Sequence, residues 1–494
     1  MSVDGPVTAS VGWLVAAPLA GSVATFLLRG RRGASEAVLL LTALAAALAT
    51  NGLVARIMGS GPYTVEIGSW GAPAGIEWAV DDLSAAFLAV ALPVWIAATI
   101  VAHGLLHSPR SPRDARVFRK EPGPTARTFW PLWLLLWGGV NALFLSADLF
   151  NLYVALELAG LAGVALVATA GVLPALQAAL RYFFANVAGS ISFLTGVALV
   201  YHRYQTLDLQ LLRSAAESDA STTVALALLG AGLLLKAALF PMHAWLPRAH
   251  AAAPAPVSAI LSALVVKAPV YLVLRLWLDV FHVALPPSVL TFVGALGAIG
   301  IVWGSARALR VERLKSLIAY STVAQVGLLF TAFPIVHAAG SRDARWGLVF
   351  LAVGHAVAKA SMFLAAGGLA RAHGHDRLDQ MTGFGAREPL CTYAFGLGGM
   401  SLLGVPGTIG FSGKWLLATS GLEVWAVPWV VAVSASALLT AAYVWRVLAI
   451  AIRSAPEPAG TRPLARRIAW SAFALAVLTV ALGLGSGPFV EPLP

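Results

Sequence analysis

Residues 236–275 read KAALFPMHAWLPRAHAAAPAPVSAILSALVVKAPVYLVLR, an apolar stretch that carries two lysines and several prolines. Lys236 stands five residues before Pro241, and Lys267 lies eleven residues after Pro256. At 1.5 Å per helical residue, eleven residues span about 16 Å, roughly half the thickness of a bilayer core. A proline inside a helix removes a backbone hydrogen bond and breaks the helix. The stretch therefore predicts a broken helix followed by a helix with a lysine near mid-membrane.

The whole chain has the composition of an integral membrane protein. Of its 494 residues, 59% are hydrophobic and 11% are charged, whereas soluble domains carry about 25% charged residues. A single cysteine, Cys391, excludes a disulfide framework, an iron–sulfur site and a thiolate zinc site. We expect no metal, no cofactor and no nucleic-acid partner, because no metal-ligand cluster or nucleotide fingerprint is present and the basic residues lie mainly in short loops.

Apolar runs separated by short polar breaks predict an all-α polytopic membrane protein with about 14 transmembrane helices. We place these spans near residues 7–28, 34–56, 83–107, 128–146, 149–171, 175–201, 222–247, 256–278, 286–306, 314–334, 346–370, 389–418, 424–450 and 468–487. Residues 60–80 are too polar to span and alternate weakly, which predicts a small extramembrane hairpin. The first run has no cationic n-region and no cleavage site, so we interpret it as a true span rather than a signal peptide.

The distribution of Lys and Arg predicts the orientation of the chain. Of the 33 basic residues, 22 lie in loops after odd-numbered spans and five in loops after even-numbered spans. Basic loops face the cytoplasm. We therefore expect a multi-pass protein of the plasma or inner membrane with both termini on the outer side.

Six basic residues remain inside the predicted spans: Lys236, Lys267, Arg275, Lys359, Lys414 and Arg446. Glu157 lies nine residues after Asp148, about 13 Å deep, and no other acid is predicted near mid-membrane. A charge at this depth costs a few kcal/mol and needs a partner, a wet cavity or a function. One ion pair that fixes helix packing is the alternative, but it accounts for only one of four deep lysines. We interpret these lysines as a proton relay, and the two arginines near span ends as structural.

Two predicted spans carry an internal proline, and both contain a lysine. In the twelfth span Pro406 precedes Lys414 by eight residues, whereas in the seventh span Lys236 precedes Pro241 by five. Broken helices at membrane depth line cavities and mark ion sites in transporters, although a plain proline kink is the alternative. The broken spans are the seventh and twelfth, and an odd offset gives opposite topology.

This offset predicts two inverted five-helix repeats and four regions. They are residues 1–127 with helices 1–3 and the hairpin, 128–281 with the first repeat (helices 4–8), 282–450 with the second repeat (helices 9–13), and 451–494 with the C-terminal helix 14.

Three histidines are further candidates for proton transfer. His355 stands four residues before Lys359, so both side chains share one helical face. His243 lies at the break of span 7, and His250 lies just beyond it. Histidine exchanges protons near neutral pH, and packing in the protein core is the alternative for each of the three.

The stretch at 236–275 resembles the signature of the proton-conducting antiporter family shared by Mrp antiporters, respiratory complex I and energy-converting hydrogenases. Four further stretches are similar to this family: LSADLFNLYVALE (145–157), RLKSLIAYSTVAQVG (313–327), HAVAKASMFLAAG (355–367) and GVPGTIGFSGKWLL (404–417). The resemblance covers nearly the whole chain. It implies fourteen core helices, paired inverted repeats and a hydrophilic axis along the membrane plane.

The resemblance also implies roles for the charged residues. It makes Glu157 the acid that pairs with Lys236, and Lys267 the connecting lysine of the next span. It places three residues at the central and terminal positions of the axis: His355, Lys359 and Lys414.

On these grounds we expect a proton-translocating subunit of a multisubunit Mrp-type Na⁺/H⁺ antiporter, since ADLFNLYVALE is similar to the motif of the Mrp D-type subunits. Its expected partners are other membrane subunits, the lipid bilayer, protons and Na⁺. One alternative is the same module in a redox-driven complex, such as a complex I-like NADH dehydrogenase or an energy-converting hydrogenase. A second alternative is a non-conducting structural subunit or a partner in inorganic-carbon uptake. The chain is not expected to be an enzyme on its own.

Overall fold

Long apolar helices make up most of the computed structural model, which describes residues 5–28, 31–68, 70–72, 75–107, 124–454 and 464–487. The helices are α1 (Gly5–Leu27), α2 (Arg32–Ser60), α3 (Asp82–His107), α4 (Pro124–Leu145), α5 (Leu149–Ala168), α6 (Leu173–Tyr204), α7 (Leu209–Ala215), α8 (Ala220–Lys236), α9 (Trp245–Ala252), α10 (Ala255–Ile260), α11 (Lys267–Val273), α12 (Pro287–Arg310), α13 (Leu314–Ala339), α14 (Arg342–His373), α15 (Phe384–Arg387), α16 (Pro389–Leu403), α17 (Ile409–Glu423), α18 (Val427–Ile452) and α19 (Arg466–Leu484). Within the described residues, 11 helical stretches are long and apolar enough to cross a membrane. The expectation of an all-α polytopic membrane protein is confirmed.

The seventh expected span is broken where its proline stands. Helix α8 ends at Lys236, a short 3₁₀ turn follows at Met242–Ala244, and α9 continues the path. At the break Ala238 takes a left-handed conformation (φ 57°), which is uncommon for a residue with a side chain. The backbone carbonyls and amides around the break are therefore released from the helical ladder and need other partners.

The twelfth expected span is broken in a similar way. Helix α16 ends at Leu403, and α17 begins at Ile409. Gly404 (φ 89°) and Gly407 (φ 88°) lie between them in a left-handed conformation that favours glycine. Both expected breaks are thus confirmed.

The stretch around Lys267 is helical but irregular. Helix α10 passes into a π-helical segment at Leu261–Val265, and α11 passes into another at Leu274–Val280. Pro269 lies in α11 and has no N–H to donate to the carbonyl of Val265. This explains why the backbone hydrogen bonding departs from the α-helical pattern just before Lys267. π-helical turns within α-helices are frequent at functional sites.

The expected hairpin is present. Strands β1 (Tyr63–Ile67) and β2 (Ile76–Val80) pair antiparallel, with Tyr63 opposite Val80. The basic segment at 110–120 and both chain termini, whose expected sides of the membrane are given above, lie outside the described residues.

The chain divides into two compact units. Unit 1 comprises Met1–Ile96, Pro109–Ala237 and Leu264–Leu285; unit 2 comprises Ala97–Ser108, Ala238–Ala263 and Pro286–Pro494. In unit 1, α6 packs against both α5 and α8, and α11 packs against α8. In unit 2, α14 is surrounded by α13, α16, α17 and α19. An apolar helix enclosed on all sides matches the nearly unbroken hydrophobicity of α14.

Candidate functional site

The central feature of unit 1 is a buried ion pair between two helices. The Nζ of Lys236, the last residue of α8, lies 3.2 Å from Oε2 of Glu157 on α5. The Lys236 side chain is 5% exposed and the Glu157 side chain 20% exposed. Enclosure in protein strengthens the attraction between the charges, and it also makes loss of either partner costly.

Two side chains of α6 complete this ion pair, and sequence reasoning missed both. The amide nitrogen of Asn186 donates to Glu157 Oε1 at 3.1 Å and to Oε2 at 3.3 Å, while Asn186 Oδ1 accepts from Lys236 Nζ at 2.7 Å. The Ser190 hydroxyl also donates to Glu157. The available signal was their spacing: two polar residues four apart share one face of an otherwise apolar helix.

Missing side chains make room for this arrangement. A Cβ at Gly160 of α5 would lie 2.2 Å from Asn186 Oδ1, and a Cβ at Gly232 of α8 would lie 2.5 Å from the carbonyl oxygen of Gly189. Close backbone approach at small residues is the usual way in which membrane helices pack. These glycines allow α5, α6 and α8 to bring their polar groups into hydrogen-bonding range.

Lys267 is fully buried at the start of α11, the helix that packs against α8. Two turns further along this helix, Arg275 contacts Asp81 through its two terminal guanidinium nitrogens, Nη1 and Nη2, with 2.6 Å between Nη2 and Oδ1. The Tyr271 hydroxyl accepts from Arg275 at 2.9 Å and donates to the Phe144 carbonyl at 2.7 Å. Arg275 is therefore held by an ion pair inside unit 1.

In unit 2, α14 carries His355 and Lys359, with 3% and 0% exposure. The Lys359 ammonium donates to the Ser321 hydroxyl and to the Ile318 carbonyl at 3.3 Å, both on α13. Helix α17 packs against α14 and carries Lys414, which donates to the Leu403 carbonyl at 3.0 Å. Lys414 thus satisfies a carbonyl that the break between α16 and α17 leaves unpaired.

The two histidines near the first break occupy different surroundings. His250 is buried, and its ring stacks on Phe363 of α14 with 4.9 Å between the ring centres. His243 is half-buried, and its Nε2 accepts from Trp303 Nε1 at 3.1 Å. Both belong to unit 2.

Lys315 is a further buried lysine that sequence reasoning missed, because it stands at the edge of a predicted span, next to a basic loop. It is 8% exposed in the first turn of α13 and donates to the carbonyls of Ala253 and Ala251, the latter at 3.4 Å. These carbonyls terminate α9, where a cation is favourable to the helix dipole. Lys315 and Lys414 therefore both bind backbone carbonyls at the C-terminal end of a helix.

The arrangement offers amines, one carboxylate and bridging hydroxyl and amide groups, and all of these can donate or accept protons or hydrogen bonds. Among the residues that the structure describes, no group of three or more His, Cys, Asp or Glu side chains is placed to hold a metal ion. Proton transfer and electrostatic gating are the chemistry that such a set supports.

The sequence is similar to membrane subunits of ion-transporting and respiratory complexes. The family described as "NADH:quinone oxidoreductase/Mrp antiporter, TM" matches residues 146–440. The N-type subunit of the NADH-quinone oxidoreductase of Desulforudis audaxviator is 33% identical over 425 residues, covering 84% of this chain and 81% of that protein. The D-type subunit of the Na⁺/H⁺ antiporter of Alkalihalophilus pseudofirmus is 28% identical over 368 residues, covering 74% and 71%.

A solved chain of the Mrp complex from Dietzia sp. DQ12-45-1b shares the fold. Its TM-score is 0.86 at 23% identity, and the match covers 98% of this chain and 95% of that chain. Together with the sequence matches, this establishes that the chain belongs to the NADH:quinone oxidoreductase/Mrp antiporter transmembrane family.

Proposed function

We propose that the chain is a proton-translocating, antiporter-like subunit of a multisubunit Mrp-type Na⁺/H⁺ antiporter. The observation that carries the proposal is the buried Glu157–Lys236 pair, bridged by Asn186 and accompanied by further buried lysines. The relative named as a Na⁺/H⁺ antiporter subunit supports the choice of ions. The partners are other membrane subunits of the complex.

The mechanism that we propose uses the Glu157–Lys236 pair as an electrostatic gate. While the pair is closed, the carboxylate stabilises the ammonium form of Lys236. Two unit charges about 4 Å apart attract by about 4 kcal/mol at an effective dielectric constant of 20. When the helices separate the pair, this stabilisation is lost, and the proton is driven toward Lys267 on the packed helix α11.

Unit 2 supplies the second part of the proposed relay. His355 and Lys359 on α14 form its central positions, and Lys414 on α17 its terminal position. His243 and His250 near the first break are further members. The hydroxyl and carbonyl partners of Lys359 and Lys414 hold these amines in fixed places, as proton transfer over short distances requires.

The proposal includes a membrane arrangement. Residues 128–281 and 282–450 form two inverted five-helix repeats, and the fourth span of each repeat is the broken one. The protein lies in the plasma or inner membrane with both termini outside, as the basic loops predict.

Replacing Lys236 by alanine tests the mechanism. We expect Lys236→Ala to abolish Na⁺-dependent dissipation of a pH gradient in inverted membrane vesicles, while native gels show an assembled complex. The matched control is Arg203→Ala, which removes an exposed cation that pairs with Glu217 and Asp219; its exchange should equal that of the wild type. Exchange at the wild-type rate in Lys236→Ala would rule out the gate.

A second candidate function is the same relay in a redox-driven complex, and the 33% identity to an NADH-quinone oxidoreductase subunit favours it. Mass spectrometry of the native complex purified through this chain separates the two. Small hydrophobic partners alone support the antiporter, whereas iron–sulfur, nickel or quinone-binding subunits support the redox-driven pump.

The remaining alternative, a non-conducting subunit or a partner in carbon uptake, is tested with Lys267→Ala and Lys414→Ala. Loss of exchange in both variants supports the relay. Unchanged exchange in both supports a structural subunit, and growth rescued by bicarbonate supports a role in carbon uptake.

A further inference from the structure

His243 stands at the first helix break and is hydrogen-bonded to a neighbouring helix. Its ring nitrogen Nε2 lies 3.1 Å from Nε1 of Trp303 on α12, and both residues belong to unit 2. An indole nitrogen carries a hydrogen and can only donate. The imidazole must therefore accept at Nε2, which is possible only while that nitrogen carries no proton.

This hydrogen bond defines the tautomer of His243. With Nε2 as the acceptor, a neutral imidazole carries its proton on Nδ1. Nδ1 is buried and makes no hydrogen bond of normal geometry with the residues that the structure describes. Trp303, in contrast, is 46% exposed. The proton of His243 therefore lies on its inner nitrogen, Nδ1, while the nitrogen nearer the surface, Nε2, is occupied by the indole.

Three aromatic rings keep the imidazole in this orientation. The Phe240 ring is stacked on the His243 ring, with 5.5 Å between the ring centres and 20° between the planes. The Trp303 ring lies 5.8 Å from the Phe240 ring and 6.4 Å from the His243 ring. Aromatic rings at such distances attract one another. Turning the imidazole over would put a carbon where Nε2 now accepts, so the hydrogen bond from Trp303 would be lost.

The break in the chain brings these rings to α12. Ala238 takes its left-handed conformation just before Phe240, and His243 follows within the 3₁₀ turn. On α12, a Cβ at Gly300 would lie 3.3 Å from the Phe240 Cβ, so the helix approaches the break closely at this glycine. Trp303 stands three residues later on the same face of α12. The close approach at Gly300 therefore places Trp303 within reach of the imidazole.

A tryptophan that only satisfies its own N–H is the alternative interpretation of this contact. A buried indole N–H usually has an acceptor, and a backbone carbonyl would serve as well as an imidazole. An imidazole acceptor has a further consequence. The charged form of histidine has a donor at both nitrogens, so His243 cannot become an imidazolium while Trp303 donates to it.

We propose that Trp303 is a positioning residue for proton transfer at His243: it keeps the proton on Nδ1 and admits a second proton at Nε2 only after the indole has moved away. Uptake then forms an N–H bond at Nε2, and release breaks the N–H bond at Nδ1, so one proton enters and one leaves. The inference deepens the proposed function and rests on His243 being a member of the relay. It assigns a task to α12, on which the sequence predicted no relay residue.

The tautomer is measured by ¹⁵N solid-state NMR of the whole complex in lipid, with histidine labelled at both ring nitrogens. The His243 signals are those missing from the spectrum of His243→Gln. We expect the wild type, at the pH of fastest exchange, to show Nδ1 protonated and Nε2 unprotonated. Signals of the opposite tautomer or of the imidazolium would overturn the proposal. This measurement needs no change at Trp303.

Trp303→Phe removes the indole N–H and keeps an aromatic ring. We expect the His243 signals to lose the pure Nδ1–H pattern. Cation-driven proton exchange per assembled complex should be about fivefold slower, the weight that one hydrogen bond gives to one tautomer. Unchanged His243 signals would show that Trp303 has only a structural role, and exchange at the wild-type rate would show that the tautomer does not matter for transfer; either result overturns the proposal.

Trp470→Phe is the matched control. Trp470 lies on α19, is 55% exposed and contacts the Phe473 ring, with 5.9 Å between the ring centres. It resembles Trp303 in exposure and in its aromatic neighbour. The His243 signals and the exchange rate of this variant should equal those of the wild type. Effects as large as those of Trp303→Phe would overturn the proposal, since they would show that any exposed tryptophan has the same influence.

His243→Gln and Lys236→Ala separate this proposal from the proposed function. Exchange at the wild-type rate in His243→Gln would remove His243 from the relay and overturn the positioning role, while loss of exchange in Lys236→Ala would leave the gate in place. Exchange at the wild-type rate in Lys236→Ala would rule out the gate. The NMR spectra would still decide whether Trp303 sets the tautomer of His243, because they do not depend on Lys236.

Discussion

Asn186 shows how much a single uncharged residue contributes to a charged site. Its amide donates to both Glu157 oxygens, and its carbonyl accepts from Lys236. Both ends of one side chain are therefore used to hold opposite charges. Hydrogen bonds to charged groups contribute about 1.5–3 kcal/mol each, more than those between neutral groups.

Removing the Asn186 side chain should impair the gate without removing a charge. We expect Asn186→Ala to slow cation-driven proton exchange by about tenfold or more, because the ammonium and the carboxylate each lose a partner. Stopped-flow measurement of the pH change in vesicles checks this. Ser192→Ala is the control on the same helix, since the Ser192 hydroxyl donates to the Leu228 carbonyl. Equal rates in the two variants would contradict the bridging role.

Elements are joined here by ion pairs as well as by close backbone contact. Asp81 immediately precedes α3, and Arg275 lies in the π-helical end of the helix that begins with α10, 194 residues later. Their side chains are 28% and 12% exposed, so the pair is largely buried. Such a contact fixes where one helix end stands against another.

Arg275→Met should destabilise the protein because it leaves the Asp81 carboxylate buried without its cation. We expect a loss of up to about 3 kcal/mol in the free energy of unfolding, measured as a lower thermal midpoint in detergent. Arg203→Gln, in an exposed ion pair, should leave the midpoint close to that of the wild type. Similar midpoints for both variants would show that the ion pair between Arg275 and Asp81 does not stabilise the fold.

Helices α12 and α13 depend on glycine for their contact. A Cβ at Gly297 would lie 2.5 Å from the Gly327 carbonyl oxygen, so Gly297→Ala should force the helices apart and lower the thermal midpoint by several degrees. The same change at Gly59 in α2 meets open space, and alanine favours a helix by about 1 kcal/mol. Gly59→Ala should therefore leave the midpoint unchanged or raise it; a drop equal to that of Gly297→Ala would refute the packing argument.

At the scale of the whole molecule, the basic residues are expected to lie mainly on one side of the membrane. Arg213 stands in a loop after an even-numbered expected span, whereas Arg307, Arg310 and Arg313 cluster after an odd-numbered one. Because positively charged loops stay in the cytoplasm, this distribution predicts the orientation of every span.

Cysteine labelling tests the predicted orientation. The native Cys391 is buried, so background labelling should be low. A cysteine placed by Ser214→Cys should react with an impermeant maleimide from outside intact cells. One placed by Arg310→Cys should react only in inverted vesicles. Both positions are exposed. The reverse pattern would show that the termini face the cytoplasm.

The sequence by itself determined the membrane class, the two helix breaks and the deep charges, because each depends on a local property. An apolar run of about 20 residues crosses a bilayer wherever it stands. Proline breaks its own helix, and a charge in hydrocarbon is costly at any position. Glu157, Lys236, Lys267, Lys359 and Lys414 were therefore found without knowledge of their contacts.

Only the tertiary structure decided which neutral groups serve these charges. Asn186 meets Lys236 across 50 residues of sequence, and Lys315 binds carbonyls 62 and 64 residues away. Hydrogen bonds act over about 3 Å between helices whose relative positions are set by packing, and the spacing along one helix does not encode that distance. The bridge at Asn186 and the buried place of Lys315 follow from how the helices pack.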